Sequence, residues 1–124
     1  MKRIVWLALV VFCILVPVAK ADESLVGTYD GTFTATSGFS AGVRIEIISV
    51  VDGKIQGSGF FYGPVCAGKF AIKEGGTVVG REVSFTLVSK GRCGERAFRL
   101  VWDGNRLDGI AVTRTGELQI QTSK

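Results

Sequence analysis

Few side chains in this sequence could carry chemistry. It holds three cysteines and no histidine in 124 residues. Without histidine, neither a Ser-His-Asp nor a Cys-His constellation can be assembled. Two cysteines without histidine do not make a zinc site. Cys66 and Cys93 stand 27 positions apart, so they lack the C-x-x-C spacing of a redox pair. The carboxylates offer no acid and base held in different environments. Asp52 and Asp103 occupy turn positions, Glu46 alternates with Arg44 on a polar face, and Asp30 and Asp108 stand isolated. The glycines lie between strand-like segments and never open a helix, which excludes the nucleotide-binding fingerprints. The chain is therefore expected not to be an enzyme and to need no cofactor or metal.

The remaining groups suit recognition. Lys90-Gly91-Arg92-Cys93-Gly94-Glu95-Arg96 reads as a basic hairpin tip. Phe39 lies in Ser37-Gly38-Phe39-Ser40-Ala41, and Tyr62 stands beside Gly63-Pro64. Aromatic and arginine side chains dominate binding hot spots, because they bury large areas and arginine adds directional hydrogen bonds. The candidate binding residues are Phe39, Tyr62, Lys90, Arg92 and Arg96. The same residue types also serve in plain solvated turns, and a loop aromatic can fold back onto the core. Phe33, Phe85, Phe98 and Trp102 read as core filler.

The N-terminus bounds the compartment. Met1-Lys2-Arg3 is basic, Ile4 to Val18 is almost wholly apolar, and Ala19-Lys20-Ala21 is an A-x-A cleavage site. Residues 1–21 read as a secretory signal peptide, too short and too closely followed by its cleavage site for a membrane span. The mature domain is then 22–124, with no later segment apolar enough to cross a bilayer, and it is expected in the periplasm or outside the cell. Loss of Lys2, Arg3 and Lys20 leaves 12 basic against 11 acidic residues, a net charge of +1 in place of +4. Bulk charge therefore gives no reason to expect nucleic-acid binding. Cys13 leaves with the signal. Cys66 and Cys93, alone in an oxidising compartment, are expected to form one disulfide. Closing that loop contributes roughly 3–4 kcal/mol in the chain-entropy picture.

Period-two alternation broken by glycine runs through the mature chain, which holds all 17 glycines. Eight strands are expected: 27–36, 43–51, 54–62, 67–73, 81–90, 96–102, 106–113 and 117–122. Tyr29, Phe33 and Ala35 share one face of the first, and Phe98, Leu100 and Trp102 one face of the sixth. Asp52-Gly53 fits a two-residue type I′ hairpin, and Asp103-Gly104-Asn105 a second tight turn. Gly57 and Gly59 mark a bend or a close approach of backbone. Residues 74–80 are expected as a glycine-rich loop, with 73 opposite 82 across it. That register sets Cys66 opposite Ser89, with Cys93 in the turn at the same end. The fold class is all-β: a single antiparallel up-and-down meander of about eight strands, closing into a barrel with one disulfide. A sandwich is the other arrangement, though the short connections leave little chain for crossovers.

Gly27-Thr28-Tyr29, opening the first strand, and repeats such as Asp52-Gly53-Lys54-Ile55-Gln56-Gly57 carry a resemblance to the small calycin-like barrels, the avidins in particular. Those families have Gly-x-Trp where this chain has Gly27-Thr28-Tyr29. The resemblance spans the mature chain and implies a barrel with a binding role. In such a meander, loops 37–41, 63–66, 91–95 and 115–116 gather at one end. That end holds Phe39, Tyr62, both mature cysteines and the basic tip, and would dock a protein or other acidic macromolecule. The alternative is a small ligand held in the barrel interior, which such barrels can leave hollow or fill.

Overall fold

A computed structural model of the protein describes residues 24–63, 66–73, 76–89 and 94–124. The chain forms nine strands there: β1 (Gly27–Ala35), β2 (Ser40–Val51), β3 (Lys54–Phe61), β4 (Gly68–Ile72), β5 (Thr77–Val79), β6 (Glu82–Val88), β7 (Arg96–Asp103), β8 (Arg106–Thr113) and β9 (Gly116–Ser123). All pairings are antiparallel, and consecutive strands lie side by side except β4 and β5, which do not pair with each other. The ring closes where β1 meets β9, from Asp30 opposite Ser123 to Ala35 opposite Leu118. The all-β, closed antiparallel barrel expected from the alternation is thus present, with eight positions in its wall.

The fourth position is occupied twice. β4 pairs with β3 and β6 near one rim, while β5 pairs with the same two strands near the other. They are two pieces of one broken strand. Residues 77–79, expected within a loop, are therefore wall, and the turn is Gly80-Arg81. The expected register changes with it. Ile72 faces Leu87 and Ala71 faces Val88, four positions on from the expected pairing. The strand breaks where Lys73 leaves the ladder, although its backbone N–H still donates to Thr86 O at 2.8 Å.

The turns follow their residues. Asp52 and Gly53 both have positive φ, 52° and 75°, as a type I′ hairpin requires. At Gly104-Asn105 only the glycine is left-handed, φ 61°, as at the first position of a type II′ turn. Glycine also sits where the wall coils tightly. A Cβ on Gly31 would stand 1.8 Å from Gln121 O across the closing seam, and one on Gly57 would stand 2.0 Å from Glu46 O. The expected close approach at Gly57 is therefore real.

Alternation fills the interior. Tyr29, Phe33, Val43, Ile45, Ile47, Ile55, Phe61, Phe70, Val83, Phe85, Leu87, Phe98, Leu100, Trp102, Leu107 and Ile120 point inward and are buried. Phe98 stacks on Phe85 with ring centres 5.0 Å apart, and Phe61 lies 5.4 Å from Phe33 and 5.2 Å from Phe70. At the end bearing the tight turns, Leu25 plugs the bore. Its carbonyl accepts a hydrogen bond from the Tyr29 hydroxyl at 2.8 Å. Trp102 closes the same floor, its indole N–H donating to Gly104 O at 2.8 Å.

Two outcomes test this architecture. Phe98→Ala is expected to cost about 3–5 kcal/mol in denaturant unfolding, as a deleted core ring does, and Arg99→Ala, one residue along and facing out, within about 0.5 kcal/mol. Equal losses would mean that inside and outside are exchanged. Burial pushes the Tyr29 hydroxyl up to about 12 from 10.0, with the Trp102 side chain pulling weakly the other way. Between those values the unfolded chain gives up the proton and the folded one keeps it. Stability is therefore full below pH 10.0 and falls as pH rises through about 12. Unfolding midpoints measured across that window should fall more steeply in the wild type than in Tyr29→Phe; identical slopes would contradict the buried phenol.

Candidate functional site

At the end opposite the floor the chain leaves β1, β3 and β6 and turns between β8 and β9. Phe39, in the first of these, is 47% exposed, yet its ring centre lies 6.1 Å from that of Phe33. It bridges the core and the rim. The loop after β3 touches it, since a methyl group on Gly63 would stand 3.9 Å from Phe39 Cζ and 3.6 Å from Ala41 Cβ. Tyr62, at the start of that loop, is 43% exposed. It covers Gly42 and lies 4.8 Å from the Phe60 ring. Phe39 and Tyr62 are thus brought to one rim, as expected. Lys90, Arg92 and Cys93 lie outside the described residues, as does the signal segment. Cys66 is described and has a left-handed backbone, φ 57°.

Arg96 departs most from expectation. The sequence sets it in the basic hairpin tip, but only 8% of it reaches solvent. Parity explains this: Arg96 opens β7 two residues before Phe98 and shares its inward face. Its guanidinium carbon lies 4.1 Å from the centre of the Phe61 ring and 4.8 Å from that of Phe70. The cation therefore crosses the bore and rests on the aromatic core. Its Nε is buried without a hydrogen-bond acceptor, and it forms no ion pair among the described residues. Burial pulls the guanidinium below its ordinary value, but arginine still keeps its charge. Stacking on desolvated rings returns about 2 kcal/mol, while an unpaired buried charge costs several. An anion seated beside it would offset the difference.

The carboxylates that looked isolated are engaged elsewhere. Asp30 accepts from Arg44 at 2.6 Å and Asp108 from Arg106 at 2.8 Å, both on the outer wall. Glu95, next to Arg96 in sequence, takes Lys73 at 2.8 Å. A methyl group on Gly94 would stand 3.2 Å from Arg114 Nε, so the β8–β9 turn leans on the segment leading into β7. That places a further cation at this end, which the sequence reading passed over. It also passed over a groove of about 250 Å³ on the outer wall, lined by Arg44, Glu46, Ser58, Phe60, Tyr62 and Lys69. The signal for it was Phe60, two residues before Tyr62 and on the same outward face.

Compared with protein-family models, curated proteins and solved structures, the chain matches none.

The contact between Arg96 and Phe61 can be measured. A double-mutant cycle of Arg96→Met and Phe61→Leu should give a coupling of about 0.5–2 kcal/mol in unfolding free energy. Additive effects would mean that the cation does not rest on that ring.

Proposed function

We propose that the protein is an exported binding module that catalyses nothing and docks a partner through the loops at one barrel end. The difference between the two ends carries this reading. Leu25, Tyr29 and Trp102 seal one end with buried side chains, while the other holds Phe39 and Tyr62 out to solvent. Exposed aromatics next to a rigid core suit recognition, because little side-chain entropy remains to be lost on binding. The basic character of the tip that includes Lys90 and Arg92 favours an acidic protein surface as partner. A carrier of small ligands would need bore volume that Phe33, Phe61, Phe70, Phe85 and Phe98 occupy, so docking is the stronger reading. Kinship with the calycin-like barrels fits the eight-position closed wall and the opening Gly27-Thr28-Tyr29.

The export half of the proposal rests on the signal segment 1–21. A disulfide between Cys66 and Cys93 belongs to it. Its support is the ladder that pairs Ala71 with Val88 and Ile72 with Leu87, which carries Cys66 toward the end at which the chain passes from β6 to β7. The mass of the exported protein should lie two hydrogens below that of the reduced chain, with no alkylation before reduction. Labelling of both thiols in the native protein would remove the disulfide from the account.

Native mass spectrometry of protein recovered from its own source supplies the partner, and titration calorimetry then locates the surface. Phe39→Ala and Arg92→Ala should each weaken binding about tenfold or more, as hot-spot truncations do, with the melting temperature nearly unchanged. The arginine effect should shrink at 1 M salt, where the Debye length is about 3 Å. Asp52→Asn and Asn105→Ala at the floor should leave binding intact. Loss with the floor variants and none with the rim variants would reverse the assigned polarity.

A further inference from the structure

The geometry points to Arg96 as a receptor for one carboxylate, brought to the barrel mouth by an acidic side chain of a partner protein. This rests on the loop-end reading above and names the chemistry that end recognises. The guanidinium is already placed and largely dehydrated. Phe61 and Phe70 hold it at 4.1 and 4.8 Å from their ring centres, so little rotamer freedom is lost when it binds. Its Nε has no acceptor, although the residue is only 8% exposed. The nearest carboxylate in sequence, Glu95, faces the other side of the strand and is held by Lys73. Among the described residues no carboxylate pairs with Arg96, whose buried Nε–H stands at this end without an acceptor.

The surroundings select the anion. Among apolar rings, one guanidinium and one carboxylate make a neutral pair, which can stay buried. A doubly charged phosphate would leave a net charge in the same place, at a higher desolvation cost. Carboxylate also matches the planar fork, with two parallel N–H···O bonds. The rim argues for a protein as its source. Phe39 leans on Phe33, whose ring lies 5.4 Å from Phe61, and so it extends the apolar surface from the cation out to solvent. A glutamate or aspartate flanked by an apolar residue would satisfy both features at once.

The test uses the mature protein with its arginine side chains labelled by ¹⁵N. The Arg96 Nε–H signal is assigned by its loss in Arg96→Met. Sodium acetate, acetamide, inorganic phosphate and the blocked peptide N-acetyl-Gly-Phe-Glu-Gly-amide are titrated at constant ionic strength. The expected result is a saturable downfield shift with acetate and with the peptide, and none with acetamide. The peptide should bind about tenfold tighter than acetate, the factor that one added apolar contact supplies. Read by titration calorimetry, because the Arg96 signal is then absent, Arg96→Met should weaken both by about tenfold or more, since a charge-assisted bidentate pair is lost, while its melting temperature stays equal or rises. No saturable shift with either carboxylate overturns the receptor, and phosphate binding tighter than acetate overturns the choice of anion. A peptide no tighter than acetate overturns the protein source. Peptide binding that survives Arg96→Met but falls with Phe39→Ala overturns the receptor and leaves the loop-end reading standing. Acetate saturation, with the isolated partner indifferent to Phe39→Ala, does the reverse.

Discussion

The pairing of the first strand with the last is the constraint on which the rest of the molecule depends. Every other pairing in the wall joins strands one or two places apart along the chain, and only β1 and β9 must find each other across the whole domain. Without that seam both strands would be open edges, ready to pair with another chain. With it, a domain of about a hundred residues encloses one core, which is thin at this size and leaves little stability to spare. Gly31 shows how tight the seam is, because even a methyl group there would run into the backbone of Gln121. The buried Thr122 hydroxyl donates to Leu107 O at 2.7 Å, tying β9 to β8 just beside the closure.

Closure makes the inside scarce, and the inward alternation fills it with rings. Phe61 touches Phe33, Phe70 and Phe98, Phe98 stacks on Phe85, and Arg96 lies over Phe61 and Phe70. Below, Tyr29, Leu25 and Trp102 lock the floor with two hydrogen bonds to backbone carbonyls. The two ends therefore differ in kind. One is sealed by side chains whose polar atoms are satisfied within the chain. The other ends in exposed aromatics above a buried cation whose Nε is not satisfied. In the proposed function, that difference is where recognition takes place.

Much of this was legible in the sequence, for identifiable reasons. Period-two alternation marked the strands because each side of the wall meets a different solvent, and Asp52-Gly53 marked its turn because few other pairs accept two positive φ angles. Trp102 and Phe98 were legible as interior for the same reason of parity. The broken fourth strand was not. Glu74-Gly75-Gly76 looks like loop, and nothing local shows that Thr77–Val79 returns to the same position in the wall; that depends on what β3 and β6 leave unpaired. Arg96 was misjudged because its charge outweighed its parity. The alternation through Phe98 and Leu100 already placed it inside, but burial of an arginine depends on rings supplied by β3 and β4, far away in sequence. Asp30 looked solitary because Arg44 reaches it across strands, a proximity that only register reveals, whereas Arg106, two residues before Asp108 on the same face, was within reach of a sequence reading.

Amide hydrogen exchange followed by NMR tests the closed barrel most directly. The amides of β1 and β9 that point at each other should exchange only through global unfolding, with the same opening free energy as those between β7 and β8. Protection of the β7–β8 amides alongside rapid exchange at the β1–β9 seam would show an open sheet, and the distinction between a sealed and a working end would fall with it.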